Sequence, residues 1–326
     1  MVPLAAKKSL HGRSIAFLLL ALVCTNAIST AAAQSQGRPA QEPITPIPVP
    51  RAQDPERLQL GERLFSDRRL SHDNTHSCLS CHDVGTNGAS ANAVDTPRGQ
   101  PMALNTPTVF NASLNFRLNW EGSVRSLEEG IERSLNNPAI MASSLDEAVK
   151  KLRGDPEMVN QFRAAYGQQP NAAAILDAIA TFERSLVTPG SRFDRWLMGE
   201  ADAITPEELS GYQVFKSLGC ITCHQGVNVG GNMFQRHGIF HPLGSREPVV
   251  LRVPSLRNVA TTAPYFHDGS AATLSEAVKS MGFAQLDRVL TDQQISAIVA
   301  FLNTLTGTYR DQPVRPAVPR AGIGRP

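Results

Sequence analysis

Cys78-Leu79-Ser80-Cys81-His82 and Cys220-Ile221-Thr222-Cys223-His224 are two copies of one pattern, C-x-x-C-H, in a chain of 326 residues. Two cysteines three apart on a helical turn share a face. They can form thioethers to the two vinyl groups of one haem, and the histidine that follows can reach its iron as the proximal ligand. Three other uses of the cysteines compete. A zinc site built from two C-x-x-C pairs leaves both histidines accidental. A thioredoxin-like redox pair needs a βαβ context that neither segment has. A disulfide within each pair again leaves the histidines without a purpose. The spacing therefore points to two covalently attached haems of the c type, held by Cys78, Cys81 and His82 and by Cys220, Cys223 and His224.

The compartment agrees with that chemistry. Lys7, Lys8 and Arg13 precede an apolar run from Ile15 to Val23, and Ala31, Ala32 and Ala33 offer a cleavage site, which together read as an export signal over residues 1–33. The run is shorter than the roughly 20 residues a spanning helix needs. Val23 also stands where a lipid-modified Cys24 would want a small neighbour, so Cys24 leaves with the signal and the mature chain is expected in the periplasm. Its 28 Lys plus Arg then oppose 29 Asp plus Glu, a net charge of −1 that argues against nucleic acid or an anionic membrane as partner.

Downstream of each motif the chain repeats itself. A shift of 147 residues places Pro107 on Pro254, Asn111 on Asn258, Gly122 on Gly269, Leu127 on Leu274 and Glu129 on Glu276 with no gap. Upstream, Gly61-Glu62-Arg63-Leu64-Phe65 parallels Gly211-Tyr212-Gln213-Val214-Phe215. Helix starts are marked by Ser126 with Glu129, Ser144 with Glu147, Thr273 with Glu276 and Thr291 with Gln294, four capping boxes, and by Thr205-Pro206. Apolar residues then recur at helical period, as in Ile175, Ile179, Phe182 and Leu186, or Ile295, Ile298, Phe301 and Leu302. Strand alternation is scarce. The expected fold is mainly α, two cytochrome c-like haem domains with long loops produced by internal duplication. A proline-rich linker over 34–52 leads to a first domain over 53–203 and a second over 204–308. The tail over 309–326, like the linker, is expected to lack packed structure.

The two halves differ where an iron's sixth ligand would lie. Met281 falls on the helix that begins at Thr273, whereas its repeat equivalent is Ser134, a poor iron ligand. Methionine on a helix is more commonly core filler, so the residues alone leave Met281 open between ligand and core.

The chain resembles the bacterial di-haem cytochrome c peroxidases, a family with a MauG-related branch that oxidises tryptophan. The likeness spans residues 55–307. It is carried by Asn105-Thr106-Pro107-Thr108-Val109-Phe110-Asn111, Trp120-Glu121-Gly122, Gly230-Gly231-Asn232, Val253-Pro254-Ser255-Leu256-Arg257-Asn258 and, most distinctively, Ala263-Pro264-Tyr265-Phe266-His267-Asp268-Gly269. It implies that the His82 haem is the low-potential, peroxidatic centre and the His224 and Met281 haem the high-potential electron store. It further implies that Trp120 couples the two, and that Asn105, Thr262 and Pro264 hold a calcium ion. The implied reaction is reduction of hydrogen peroxide to water with electrons from a small periplasmic cytochrome c or cupredoxin, and relatives are commonly homodimers. The MauG-related branch carries tyrosine where Met281 stands, which favours the peroxidase; a plain electron carrier is the non-enzymatic alternative.

Departures from the family pattern fall around the first haem. Ile140 stands where a distal glutamate precedes the methionine matched by Met141, and Gly130 where a glutamine is expected. No histidine occurs between His82 and His224 to close the resting iron. The His82 iron is therefore expected to rest open or held by a weaker ligand such as Met102 or Met141. The proton carrier must then be water or another carboxylate, with Glu128, Glu129 and Glu132 as candidates. His72, His76, His237 and His241 are expected to hydrogen-bond or face solvent. His267 occupies the repeat position of Trp120.

Overall fold

The computed structural model describes residues 42–243 and 250–317. The export signal and the first part of the proline-rich linker lie outside the described residues. Ten helices are present among those described: α1 Pro55–Ser66, α2 Cys78–Cys81, α3 Leu127–Asn136, α4 Leu145–Arg153, α5 Pro156–Tyr166, α6 Ala172–Ser185, α7 Arg192–Leu197, α8 Pro206–Ser217, α9 Leu274–Leu286 and α10 Asp292–Asn303. Two antiparallel ribbons, β1 Phe234–Arg236 with β2 Val250–Arg252 and β3 Thr308–Tyr309 with β4 Gln312–Pro313, are the paired strands. The protein is mainly helical, as its 3.6-residue periodicity requires.

The helix starts form where the sequence marks them, by two variants of one device. Thr205, Thr273 and Thr291 cap α8, α9 and α10 with the third side chain reaching back to the cap N–H. Ser126 and Ser144 also accept from the third N–H, yet their glutamates do not close the box. Glu129 accepts instead from the N–H of Arg125 and pairs with Arg133, while Glu147 turns to His72 and Lys151.

Two hydrophobic cores follow, one per repeat. In the first, α1 lies on α6, with Leu64 and Phe65 against Ile175, Ile179 and Phe182, all essentially inaccessible. In the second, α8 lies on α10, with Tyr212 and Phe215 against Phe301 and Phe193. Each pair of helices meets at a glycine: a Cβ on Gly61 would overlap the carbonyl oxygen of Ala178, and one on Gly211 that of Ala297. The duplication extends to the loops. Asn111 and Asn258 both adopt left-handed backbone, φ 60° and 59°, and the isolated bridge Leu118–Val124 has its counterpart, 147 residues on, in Tyr265–Ala271.

The expectation that the ends lack packed structure fails in two places. Ile44 is 1 % exposed within the second core, bridges Gly226, and is flanked by Glu42, which accepts from Tyr212 Oη at 2.6 Å and pairs with Lys216. At the other end Val314 enters the first core, and Tyr309 packs at 5.0 Å from the ring of Phe110. Each terminal segment contributes one or two apolar residues between prolines. That is enough to fill a gap in a core formed by others, but too few to show a period.

Candidate functional site

Both C-x-x-C-H segments fold as a tight turn that brings the histidine back beneath its cysteines. The His82 N–H donates to Cys78 O at 2.9 Å, and the His224 N–H to Cys220 O at 3.1 Å. The first motif forms the short helix α2; the second is a single 3₁₀ turn. In each, the imidazole Nδ1 faces a backbone carbonyl, Gly88 O at 3.1 Å for His82 and Val229 O at 3.3 Å for His224. A donor bond from Nδ1 leaves Nε2 as the free lone pair, the tautomer that metal-ligating histidines use. Burial holds both imidazoles neutral: His82 is displaced below its usual value and His224 is brought down to about 4. Gly230 makes room for this ring. Its φ of 128° is closed to other residues, and a Cβ there would collide with Pro254 O and lie 3.3 Å from His224 Nδ1.

The four cysteines form no disulfide. Burial pushes the Cys78 thiol up to about 12 and Cys220 to about 11, with the charges of Glu183 and of the neighbouring Cys223 as lesser contributions. Among the described residues no three His, Cys, Asp or Glu side chains converge as a metal-binding group. Two unpaired cysteines one turn from a histidine whose Nδ1 is held by a backbone carbonyl fit covalent haem.

A cavity of about 480 Å³, largely apolar, opens beside the second motif. Cys220, Cys223, His224 and Met281 all line it, so α9 presents Met281 to the space that His224 faces. Ser134, the repeat equivalent, is exposed, and its hydroxyl donates to Gly130 O within α3. Trp120 lines the same cavity; its Nε1 donates to Asn105 O at 2.7 Å, and its ring lies edge-on to His267 at 6.5 Å. Asn105, Thr262 and Pro264 line the cavity as well.

Around the first motif the three glutamates named from sequence are engaged or remote. Glu128 pairs with Arg184, Glu129 with Arg133, and Glu132 is exposed. Met141 is 3 % exposed in the first core, where Ile140 packs beside it. The sequence reading missed Glu183. Burial, with the charge of Glu128 adding and Arg184 opposing, raises its carboxyl to about 8, and its charge is felt at Cys78. It stands next to Arg184 in an ordinary helical stretch, so nothing in the pattern separated it from a surface glutamate.

His72 pairs with Glu147, His76 with Thr75, and His241 with Asp287 while stacking on Phe283 at 3.8 Å. His237 hydrogen-bonds the backbone of Leu243, as expected of it, and also lines the cavity and meets His267 at 4.3 Å.

Comparison with known proteins agrees with this geometry. The profile of the di-haem cytochrome c peroxidase family matches residues 55–202, and that of cytochrome c matches residues 209–306. The cytochrome c551 peroxidase of Nitrosomonas europaea is 40% identical over 292 residues, 84% of this chain and 86% of that protein. Cytochrome c peroxidase Ccp of Escherichia coli is 38% identical over 82% of this chain, which spans 62% of that longer protein. The crystal structure of a MauG-like protein associated with microbial copper homeostasis superposes with a TM-score of 0.69 at 29% identity, covering 84% of this chain and 96% of that one. Two haem motifs on duplicated helical domains, with relatives of this identity and coverage, establish that the chain is an enzyme of the di-haem cytochrome c peroxidase family.

Proposed function

We propose that the enzyme reduces hydrogen peroxide to water in the periplasm, drawing electrons from a small cytochrome c or cupredoxin. The observation that carries this reading is the asymmetry between repeats: Met281 shares a cavity with His224, whereas Ser134 is turned outward. When bound, the haems supply one iron open to peroxide and one that stores an electron at raised potential. The chain's part is to hold His82 and His224 by their Nδ1 atoms, to close the second site with the Met281 sulfur, and to set Trp120 between the halves. Glu183, whose carboxyl burial raises to about 8 and whose charge reaches Cys78, would hold a proton near the first site. The same reading gives Asn105, Thr262 and Pro264 to a calcium ion, supported by their lining one cavity and by their neutral oxygen donors, which suit a hard cation.

The test is oxidation of reduced cytochrome c by the purified holoprotein on adding peroxide, beside Met281→Ala. Turnover in the wild type, falling at least tenfold in the variant with both haems retained, is expected. A wild type that shows no turnover is an electron carrier instead. The likeness to a MauG-like structure at 29% identity keeps oxidation of a partner protein as a second reading; peroxide consumption without oxidation of any small donor would favour it.

A further inference from the structure

Two buried arginines stand five residues apart and differ in what surrounds them. Arg257, 1 % exposed, faces Asp194 at 2.8 Å and donates to Val227 O and Thr45 O, so its charge is matched. Arg252, 5 % exposed, donates through Nε to Asn119 O at 3.0 Å, and its Nη1 is buried with no partner. Among the described residues no carboxylate pairs with it. Burial lowers it to about 10, with no charge to oppose the shift. A second orphan lines the same cavity: His267 is 2 % exposed and its Nδ1 is buried without a partner. Both residues line the cavity of Cys220, Cys223, His224 and Met281.

A guanidinium out of water without a counter-charge is costly, and its planar fork matches a carboxylate in two parallel hydrogen bonds. Haem attached through its vinyl groups still carries two propionates, and these are the negative groups such a cavity would receive. Resting on the reading of the second motif as a haem site, we propose that Arg252 Nη1 receives a propionate of the haem held by Cys220 and Cys223. The backbone N–H of Arg252 also donates to Trp120 O at 2.8 Å. The propionate is thereby tied to the segment that carries Trp120, and the arginine's charge favours the reduced state of the haem.

The test uses holoprotein, with covalent haem counted by intact mass and the midpoint of each haem followed by spectroelectrochemistry. Arg252→Gln should keep two haems per chain while the reduction equilibrium of the second falls about tenfold, about 59 mV for a one-electron couple. Arg252→Lys, which keeps the charge and loses the fork, should recover part of that shift; it also serves should the glutamine variant fail to load. Unchanged midpoints in both variants overturn the proposal. A wild-type midpoint that tracks phosphate concentration overturns it too, because an exchangeable anion would then occupy the site. Wild type lacking haem on Cys220 and Cys223 would sink the haem reading itself.

Discussion

Asn111 and Asn258, 147 positions apart and each in left-handed backbone, donate to the same oxygen: their Nδ2 atoms lie 2.8 and 2.9 Å from Thr188 Oγ1. The Thr188 N–H returns to Asn111 Oδ1 at 2.9 Å, and the Gly307 N–H to Asn258 Oδ1 at 3.0 Å. All three side chains are buried. One hydroxyl thus joins the equivalent loops of the two repeats. Thr188→Val keeps the shape and removes the acceptor, leaving two buried amide donors at about 1–3 kcal/mol each. Denaturant unfolding of the holoprotein should show a loss of about 2–5 kcal/mol, most of it restored in Thr188→Ser. A loss under about 1 kcal/mol would mean that the junction is held by other contacts.

Much of this architecture is local and therefore legible in sequence. Caps and helical periods depend on residues near one another in the chain, the 147-residue repeat shows on aligning the chain with itself, and the helices fall where those signals place them. The failures share a different cause. Thr188 meets Asn111 and Asn258 across 77 and 70 residues, and Ile44 reaches the second core from a proline-rich segment, so neither leaves a periodic trace. Arg252 is a lone charge among Val250, Leu251 and Val253, but its meaning needs the cavity. Glu183 left none, because only its burial and its influence on Cys78 set it apart from its neighbour Arg184.

The glycines at the two helix crossings make matched predictions. Gly61→Ala drives a Cβ into the carbonyl of Ala178 between α1 and α6, and Gly211→Ala does the same at Ala297 between α8 and α10. Backbone cannot yield as a side-chain tip can, so each should cost about 1–3 kcal/mol despite the better helix propensity of alanine. Because the crossings lie in separate cores, the double variant should be additive within about 0.5 kcal/mol. A larger coupling in chemical denaturation would show that the two crossings are energetically linked.

Glu183 should give the stability an unusual dependence on pH. Its carboxyl titrates near 8 in the folded protein, chiefly through burial, against an ordinary 4.5. Between those values the folded state binds more protons than the unfolded state, so this group makes stability fall as pH rises. Glu183→Gln cannot ionise. Its melting temperature relative to wild type should therefore climb steadily from pH 5 to pH 8.5. A constant difference would place the carboxyl in contact with water and remove it as a proton store.

Trp120 combines an aromatic face with a directed N–H, and substitutions can separate the two. Its Nε1 donates to Asn105 O at 2.7 Å while the Asn105 N–H donates to His267 O at 2.7 Å, so the indole is fixed to the repeat position it shares with His267. Trp120→Phe removes the bond and leaves a smaller ring; Trp120→Leu removes the ring as well. If the indole carries electrons between the sites, rapid-mixing measurements with peroxide should show the second haem oxidised more slowly in the order wild type, Phe, Leu. The leucine variant should lose at least tenfold, with both midpoints close to wild type. Equal rates in all three would reduce Trp120 to a buried anchor, whose loss should then appear only in the melting temperature.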